Sequence, residues 1–553
     1  MLGRSLPELV FIRVCIFLLQ NTIPLAAVAL GALVLLQHGL KNLPPWAAVL
    51  FGVTQGLVAA LLVADGLFFL ALYRPYRRSM QARARHPRPP TRAEREALFA
   101  KCVANMPRPE FYLRQWFLGA EMDDIREDNL REFLLWSFFD RDGGGDLDDE
   151  TEEELAIYVR ELEILLGRDV GRGRGPARSL RLTVDPVEPR FRSVLWFLIV
   201  ALVDAATHLR LLWAGLRYHA TPWGKRLSVF PPRPLSLLPA ALTTASASAQ
   251  LSYWYRPHTA KDKLPVVFVH GIGIGMYPYA NFVAGVGKSR SGDGDSDDGI
   301  GIIALELLPI SSRFVGAPLD REGFLSHVSG ILAHHGWERF VLVSHSYGSV
   351  LTTHMIRSPA LASKIDSVVL VDPVSLLLHL PDVAYNFTRR RPKTANEWQL
   401  WFFASTDPGT AHTLGRHFFW RENIVWKEEL VWAPQDAVAE GEPDGAVGRR
   451  RRKVAVCLSG KDLIVDVDTV LRYLAIRGDF KDMNDGDFAE IIRMDMASVD
   501  PDPGRWSGQG VMRSGIEVQV GAELDHAQIF DGAEDSERLL KLVRRYCSTE
   551  DVG

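Results

Sequence analysis

The carboxyl-terminal part of this chain predicts an α/β fold built on a mostly parallel sheet. From residue 251 to residue 553, short runs rich in β-branched residues alternate with helical segments, the pattern of a parallel sheet covered by helices. Residues 1–92 contain two long apolar runs and a basic linker, and residues 93–250 have amphipathic periodicity typical of helices. We therefore predict a membrane hairpin, a helical region and an α/β domain, in that order.

Overall composition excludes some classes of function. The 553 residues include 63 Lys and Arg against 67 Asp and Glu, a near balance that gives no indication of a nucleic-acid partner. The four cysteines are widely spaced and form no C-x-x-C pair, so neither a disulfide framework nor a zinc cluster is indicated. We expect no metal site and an α/β domain in a reducing compartment.

The two apolar runs near the amino terminus predict membrane-spanning helices. Residues 14–36 and 44–64 contain no charged residue, and the second run continues past a single aspartate to Leu72. Each is long enough to cross a hydrocarbon layer about 30 Å thick, which takes roughly 20 helical residues. Seven arginines follow, the last at Arg92, so the positive-inside rule places the amino terminus and everything after Leu72 in the cytosol. A cleaved signal peptide is the alternative for the first run, but a second long run follows it.

Residues 194–217 form a third apolar stretch, within the helical region. Asp204, His208 and Arg210 interrupt it. Because charges near the middle of a membrane span are costly, the stretch favours an interfacial helix over a third crossing. An ordinary helix buried against the α/β domain is the alternative.

The sheet is predicted from six short apolar runs. They lie at residues 266–269, 300–305, 340–343, 367–371, 454–458 and 516–520. About 80 residues separate the fourth run from the fifth, many more than a strand-to-helix connection requires. The part of this insertion at about 374–432 is rich in aromatic residues and predicts a lid or cap, or else an inserted helical layer that buries its own aromatics.

Ser346 is the candidate nucleophile. It lies in Ser344-His345-Ser346-Tyr347-Gly348, between a predicted strand and a helix, in a pattern similar to the G-x-S-x-G elbow with Ser344 in place of the first glycine. A run of glycines follows the first predicted strand. Acyl transfer requires two backbone donors for the oxyanion, and the N–H groups of Ile272 and Tyr347 are the natural candidates, with Gly273 as a close substitute. A serine-rich turn without chemistry is the alternative for the elbow alone.

A serine nucleophile also requires a base, and a carboxylate that orients the base. Asp462 follows the fifth predicted strand and His526 follows the sixth, so both should meet Ser346 at the carboxyl edge of a parallel sheet. Asp372, at the end of the strand after the elbow, is the alternative acid.

From residue 266 to its carboxyl end the chain resembles the α/β-hydrolase family, whose chain order is Ser, Asp or Glu, then His. The glycine run, the elbow, Asp462 and His526 carry the resemblance. The whole chain also resembles membrane-anchored α/β-hydrolase-like proteins of fungi. The family resemblance implies a serine hydrolase without a cofactor, and an apolar lid implies a lipid-like acyl substrate.

We therefore expect an integral membrane protein with a cytosolic serine esterase or lipase-like domain that works through an acyl-enzyme. Its expected partners are the lipid bilayer and a small apolar ester. Acyl transfer by the same site is one alternative, and a non-catalytic membrane scaffold with a hydrolase fold is another.

Overall fold

The computed structural model describes residues 2–39, 44–143, 145–237, 243–291, 294–297, 299–433, 450–476, 478–480, 508–512 and 514–549. The strands in these ranges are β1 (Arg217–Ala220), β2 (Thr243–Ala245), β3 (Tyr253–Arg256), β4 (Val266–Val269), β5 (Lys288–Ser291), β6 (Gly294–Asp297), β7 (Ile302–Leu305), β8 (Phe340–His345), β9 (Ile365–Val371), β10 (Lys453–Ser459), β11 (Gly508–Val511) and β12 (Glu517–Gly521).

The helices before the sheet are α1 (Leu6–Gln20), α2 (Thr22–Gly39), α3 (Pro45–Phe68), α4 (Arg74–Ser79), α5 (Arg92–Ala104), α6 (Pro109–Trp116), α7 (Glu127–Phe139), α8 (Asp149–Leu166) and α9 (Val194–Trp213). Those that follow are α10 (Trp223–Leu227), α11 (Ala280–Gly285), α12 (Arg321–His334), α13 (Gly348–Ile356), α14 (Pro359–Ala362), α15 (Pro381–Thr388), α16 (Ala395–Leu400), α17 (Pro408–Arg416), α18 (Trp420–Asn423), α19 (Lys427–Val431), α20 (Val467–Ala475) and α21 (Ala533–Cys547). Two π-helical turns, Phe69–Tyr73 and Trp401–Ser405, join α3 to α4 and extend α16.

A single mixed sheet forms the centre of the molecule, with strand order β11-β12-β10-β9-β8-β4-β7-β3-β1-β2. From β12 to β7 all neighbours are parallel, whereas β3 and β11 run antiparallel to the strands they border. Every residue of β4, β7 and β8 is buried, because helices cover both faces. The predicted mostly parallel α/β fold is confirmed.

The strand β1 and its neighbour β2 come from the region for which the sequence predicted helices alone. They extend the sheet beyond β3, so residues before 251 contribute to it. Both strands are short, and β2 is partly exposed, which leaves little hydrophobic pattern to detect.

The first apolar run is divided into two helices, so the prediction of one helix across residues 14–36 is wrong at its start. Helix α1 ends at Gln20 and α2 begins at Thr22. Pro24 has no N–H to donate to the carbonyl of Gln20, and its ring opposes a continuous helix at that point. Among the residues that the structure describes, three helical segments are long and apolar enough to cross a membrane: Thr22–Gly39, Pro45–Ser79 and Val194–Trp213.

Helix α1 packs on the α/β domain instead of continuing the hairpin. Ile12 and Ile16 lie against Phe402 in one buried cluster, and the Arg13 guanidinium lies 4.1 Å from the centre of the Trp398 ring. The opposite face of α1 exposes apolar side chains, among them Leu6, Val10, Phe11, Val14 and Phe17. One helix therefore joins the insertion to an uncovered apolar surface.

Helix α9 also has one packed face and one uncovered face. Its Asp204 forms buried ion pairs with Arg233 at 3.1 Å and Arg313 at 2.8 Å. The N–H of Val194, at the start of α9, donates to the Asp65 carboxylate of α3 at 2.6 Å. Leu198, Leu202, Leu209 and Trp213 are exposed on the other side.

The insertion between β9 and β10 contains α15 to α19 and is covered by helices from the amino-terminal half. The indole N–H of Trp116, in α6, donates to the carbonyl oxygen of His379 at 3.1 Å. The indole N–H of Trp420, in α18, donates to the carbonyl oxygen of Ser137, in α7, at 3.0 Å. The insertion is thus held between the sheet and α5 to α8, and it forms a layer with protein on both sides.

Candidate active site

Ser346 lies in a sharp turn between β8 and α13. Its φ of 50° is in the left-handed region, which is strained for a residue with a side chain. A β-carbon at Gly348 would lie 2.3 Å from the carbonyl oxygen of Val269, so only glycine fits where the helix crosses β4. The turn aims the serine side chain away from the sheet.

Ser344 occupies the position where the elbow pattern has its first glycine. Its hydroxyl accepts a hydrogen bond from the Thr352 hydroxyl of α13 at 2.8 Å, and both side chains are buried. The additional hydroxyl is therefore satisfied inside the strand–helix contact, which explains how serine replaces glycine there.

The structure brings Ser346, His526 and Asp462 together in one hydrogen-bonded chain. The Nε2 atom of His526 lies 2.9 Å from the Ser346 hydroxyl, and its Nδ1 atom lies 2.7 Å from Oδ2 of Asp462. The Asp462 side chain is 1% exposed and that of His526 is 5% exposed. This is the arrangement in which an imidazole can take the serine proton while a carboxylate fixes its tautomer.

Backbone groups hold Asp462 in place. Its Oδ1 atom accepts hydrogen bonds from the N–H groups of Ile464 at 2.7 Å and Val465 at 3.0 Å. The other oxygen is left to face His526. A carboxylate anchored in this way has one orientation relative to the imidazole.

Asp372, the alternative acid, has a different environment. Its carboxylate accepts hydrogen bonds from the N–H and hydroxyl of Ser459, at 2.8 and 3.0 Å, and from the N–H of Ala527 at 2.9 Å. Ser459 ends the strand before Asp462, and Ala527 follows His526. Asp372 therefore ties together the two loops that carry the acid and the histidine, and no hydrogen bond joins it to the described imidazoles.

Charge around His526 favours its protonated form. Burial by itself lowers the pKa of His526, but the negative charge and hydrogen bond of Asp462 outweigh burial and raise the pKa to about 9. Burial and the nearby Asp462 charge raise the pKa of Asp372 to about 6. The site is thus built to stabilise an imidazolium, the state that forms when the serine proton is transferred.

The expected oxyanion donors both border the same cavity as Ser346. Ile272 and Tyr347 line this cavity, and no acceptor for either N–H is found among the residues that the structure describes. The N–H of Gly273 donates instead to the carbonyl oxygen of Ile310 at 3.1 Å. This geometry favours Ile272 over Gly273 as the second donor.

Tyr279 supports the turn and was not identified from the sequence. Its hydroxyl accepts from the N–H of Gly271 at 3.2 Å and lies 2.8 Å from Nδ1 of His345. A β-carbon at Gly271 would lie 2.8 Å from both His345 and Ser346, so the glycine run packs directly on the elbow. Burial and the His526 charge hold the pKa of His345 well below its usual range, so His345 stays neutral beside the site.

An apolar cavity opens from Ser346. Leu378, Val383, Phe387, Leu414 and Phe418 of the insertion form much of its wall. Trp116 and Trp136, from α6 and α7, complete it. Amphipathic periodicity fits Trp136 to a buried helix face, but it does not indicate what the side chain is buried against.

One end of this cavity is polar. Asp140 and Arg421 form an ion pair there, and Nδ1 of His86 lies 2.7 Å from Oδ1 of Asp140. The charges in this pair compensate one another. The cavity is therefore largely apolar, with one compensated ion pair in its lining.

Asp372, Asp462 and His526 also have the chemistry of metal ligands, since one donor atom from each lies within 4.8 Å of the others. These donors are already used: the carboxylates accept protein hydrogen bonds and His526 bridges Asp462 and Ser346. The set therefore fits a proton-transfer chain better than a metal centre.

A mostly parallel sheet, a serine in a strained elbow, and an acid and a histidine after later strands in the order Ser, Asp, His are the features of the α/β-hydrolase fold. The carboxyl-terminal part of this chain has that fold. The resemblance to fungal membrane-anchored proteins stays a prediction.

Comparison with solved structures gives distant similarities. A membrane phospholipase A described as a bacterial virulence factor is 12% identical, with 64% of this chain and 94% of that chain covered, at a TM-score of 0.34. A meta-cleavage product hydrolase from Pseudomonas fluorescens is 14% identical, with 54% of this chain and 96% of that chain covered, at a TM-score of 0.31. An esterase from Thermogutta terrifontis is 12% identical, covering 54% and 95%, at 0.31. No protein-family model and no curated protein matches the sequence.

Proposed function

We propose that this protein is a serine hydrolase that cleaves a carboxylic ester with an apolar acyl group. The observation that carries the proposal is the hydrogen-bonded chain from Ser346 through His526 to Asp462, opening into an apolar cavity. The apolar wall supports a fatty acyl chain as the group held beside Ser346.

The reaction follows from the positions of these groups. The Ser346 oxygen attacks the ester carbonyl carbon while its proton passes to Nε2 of His526, and the resulting oxyanion accepts hydrogen bonds from the N–H groups of Ile272 and Tyr347. Collapse of this intermediate breaks the ester bond, and the His526 proton leaves with the alcohol. Water, deprotonated by His526, then attacks the acyl-enzyme and releases the carboxylic acid and free Ser346.

The same proposal places the enzyme on a membrane. Helix α2 and the helical segment Pro45–Ser79 supply two candidate spans, and Arg74, Arg77 and Arg78 lie in the last six residues of the second. This basic cluster supports a cytosolic orientation by the positive-inside rule. The uncovered faces of α1 and α9 add apolar surface beside the hairpin.

A fluorophosphonate probe, which reacts with activated serines, tests the proposed mechanism on the full-length protein. We expect wild type to be labelled, and Ser346→Ala and His526→Ala to lose labelling. Ser375→Ala is a matched control, because Ser375 is buried near the elbow and its hydroxyl has no partner among the described residues. Labelling that persists in Ser346→Ala would contradict the mechanism, and folded wild type that fails to react would favour the scaffold alternative.

A further inference from the structure

A second, wider groove lies beside the active-site cavity and reaches the end of the proposed membrane hairpin. Leu182, Thr388 and Leu414 line both the groove and the cavity that contains Ser346. All three side chains are half-buried. They form a thin partition between the two spaces.

The groove opens between the hairpin and the insertion. Phe69, Tyr73 and Arg77, at the end of the segment Pro45–Ser79, form one side. Trp401 forms part of the other side. It begins the π-helical turn Trp401–Ser405, and the next residue, Phe402, packs on α1. One part of the lining therefore comes from the end of a candidate span and another from the insertion, while residues 178–191 supply much of the rest.

Positive charge predominates around this opening. Four arginines line the groove, at positions 77, 178, 190 and 389, against the two acids Asp185 and Glu188, a difference of two positive charges. Arg389 pairs with Asp185 at 3.2 Å. Arg77 and Arg190 are exposed, and the Arg190 guanidinium lies 5.1 Å from the centre of the Trp401 ring. An aromatic platform beside exposed guanidinium groups suits a phosphate-bearing headgroup.

We propose that a lipid with an anionic phosphate headgroup enters this groove directly from the bilayer. The headgroup lies against Arg77 and Arg190, and the ester reaches Ser346 past Leu182, Thr388 and Leu414. This inference rests on the proposed function and adds to it the route and charge class of the substrate. The occupant is a bilayer lipid because the groove adjoins the end of a candidate span and, across the partition, the catalytic cavity.

The test uses the full-length protein in neutral phosphatidylcholine vesicles. Two fluorogenic reporter lipids with the same acyl chains are compared, one with a phosphoglycerol headgroup and one with a phosphocholine headgroup. Wild type should hydrolyse the anionic reporter faster. Arg77→Gln and Arg190→Gln should each reduce this preference roughly fivefold, as expected for removing one arginine from an anionic lipid site.

Arg78→Gln is the matched control. Arg78 is the exposed neighbour of Arg77 on α4 but does not line the groove. It should keep the preference of wild type. An equal loss in Arg78→Gln would mean that general juxtamembrane charge, and not the groove, selects the lipid, and would overturn the proposal.

The route is tested by the placement of the reporter. Hydrolysis should be much faster when the reporter shares a vesicle with the protein than when it is supplied in separate vesicles, and equal rates would overturn entry from the bilayer. Fluorophosphonate labelling is measured on the same samples. If the protein is labelled but shows no headgroup preference, the proposed role of the groove is contradicted and the hydrolase proposal stands. If the protein is folded but not labelled, the hydrolase proposal itself is contradicted.

Discussion

Asp372 holds the two site loops together and also contributes charge to the site. Its carboxylate binds Ser459 and Ala527, on either side of the space occupied by Asp462 and His526. Its negative charge is one of those that raise the pKa of His526. Asp372 is therefore a positioning residue, and its effect on the imidazole should be measurable without any contact with substrate.

We expect kcat/KM for a soluble ester to rise with pH up to about 9, because only the neutral form of His526 can accept the Ser346 proton and its pKa is about 9. In Asp372→Asn one charge that favours the imidazolium is gone, so the rising limb should move to lower pH. The pH dependence of kcat/KM for both proteins provides the measurement. An unchanged midpoint would limit Asp372 to holding the loops.

Replacement of Asp462 by asparagine should be far more damaging. Its Oδ1 atom accepts two backbone N–H groups, so the new amide nitrogen would face Nδ1 of His526 and force the ring proton onto the nitrogen beside Ser346. A loss of about 10³- to 10⁴-fold in kcat is expected from the wrong tautomer. Asp372→Asn, assayed in parallel, should lose much less. Similar losses in both variants would argue against distinct roles for the two acids.

At the scale of elements, the insertion between β9 and β10 forms a layer, with protein on both sides, that shapes the cavity. It is covered by α5 to α8, contacted by α1 and packed on the sheet. Its position therefore depends on all three. The cavity proposed for the acyl group is thus lined by helices that come before the sheet as well as by the insertion.

Ala384→Phe tests this role of the insertion. Ala384, in α15, is buried and lines the cavity, so a phenyl ring there would occupy space proposed for the acyl chain. We expect kcat/KM to fall mainly for long-chain esters, at about 0.8 kcal/mol for each methylene that is no longer buried. Rates over a series of acyl lengths give the result. A uniform fall at all lengths would place the acyl chain elsewhere.

Elements differ in how well their sequences predict them. Buried parallel strands are continuous apolar runs, so β4, β7, β8, β9, β10 and β12 could be recognised, and the positions of the candidate site residues follow from those strand ends. The helix break at Asn21 was not predicted, because the absence of charge in a run gives no information about a break caused by Pro24. Trp116 and Tyr279 act through contacts with distant segments, and periodicity contains no information about such partners.

On the scale of the whole molecule, uncovered apolar surface is concentrated on α1, α2, α3 and α9. Helix α1 packs on α16, in the insertion between β9 and β10, while α2 and α3 form a pair. A two-helix hairpin returns the chain to the side from which it started. The amino terminus and the catalytic domain should therefore lie on the same side of the membrane.

Protease protection in sealed microsomes can measure this arrangement. Epitope tags at the two ends of the full-length protein should both be digested from the cytosolic side without detergent, because α1 and the α/β domain are in contact and arginines follow the second span. Protection of one tag alone would contradict the hairpin. Protection of both tags would contradict the proposed cytosolic orientation and indicate the opposite one, without contradicting the fold.

The bond between Asp65 and the first N–H of α9 has a mechanical consequence. Asp65, in α3, accepts the N–H at the start of α9, and α9 is itself ion-paired to the α/β domain, so we expect α3 and this domain to rotate together. We expect the α/β domain not to rotate independently of the proposed hairpin of α2 and α3. Its rotational diffusion should be as slow as that of the proposed hairpin in the bilayer. The opening of the groove would then keep one orientation relative to the lipid surface.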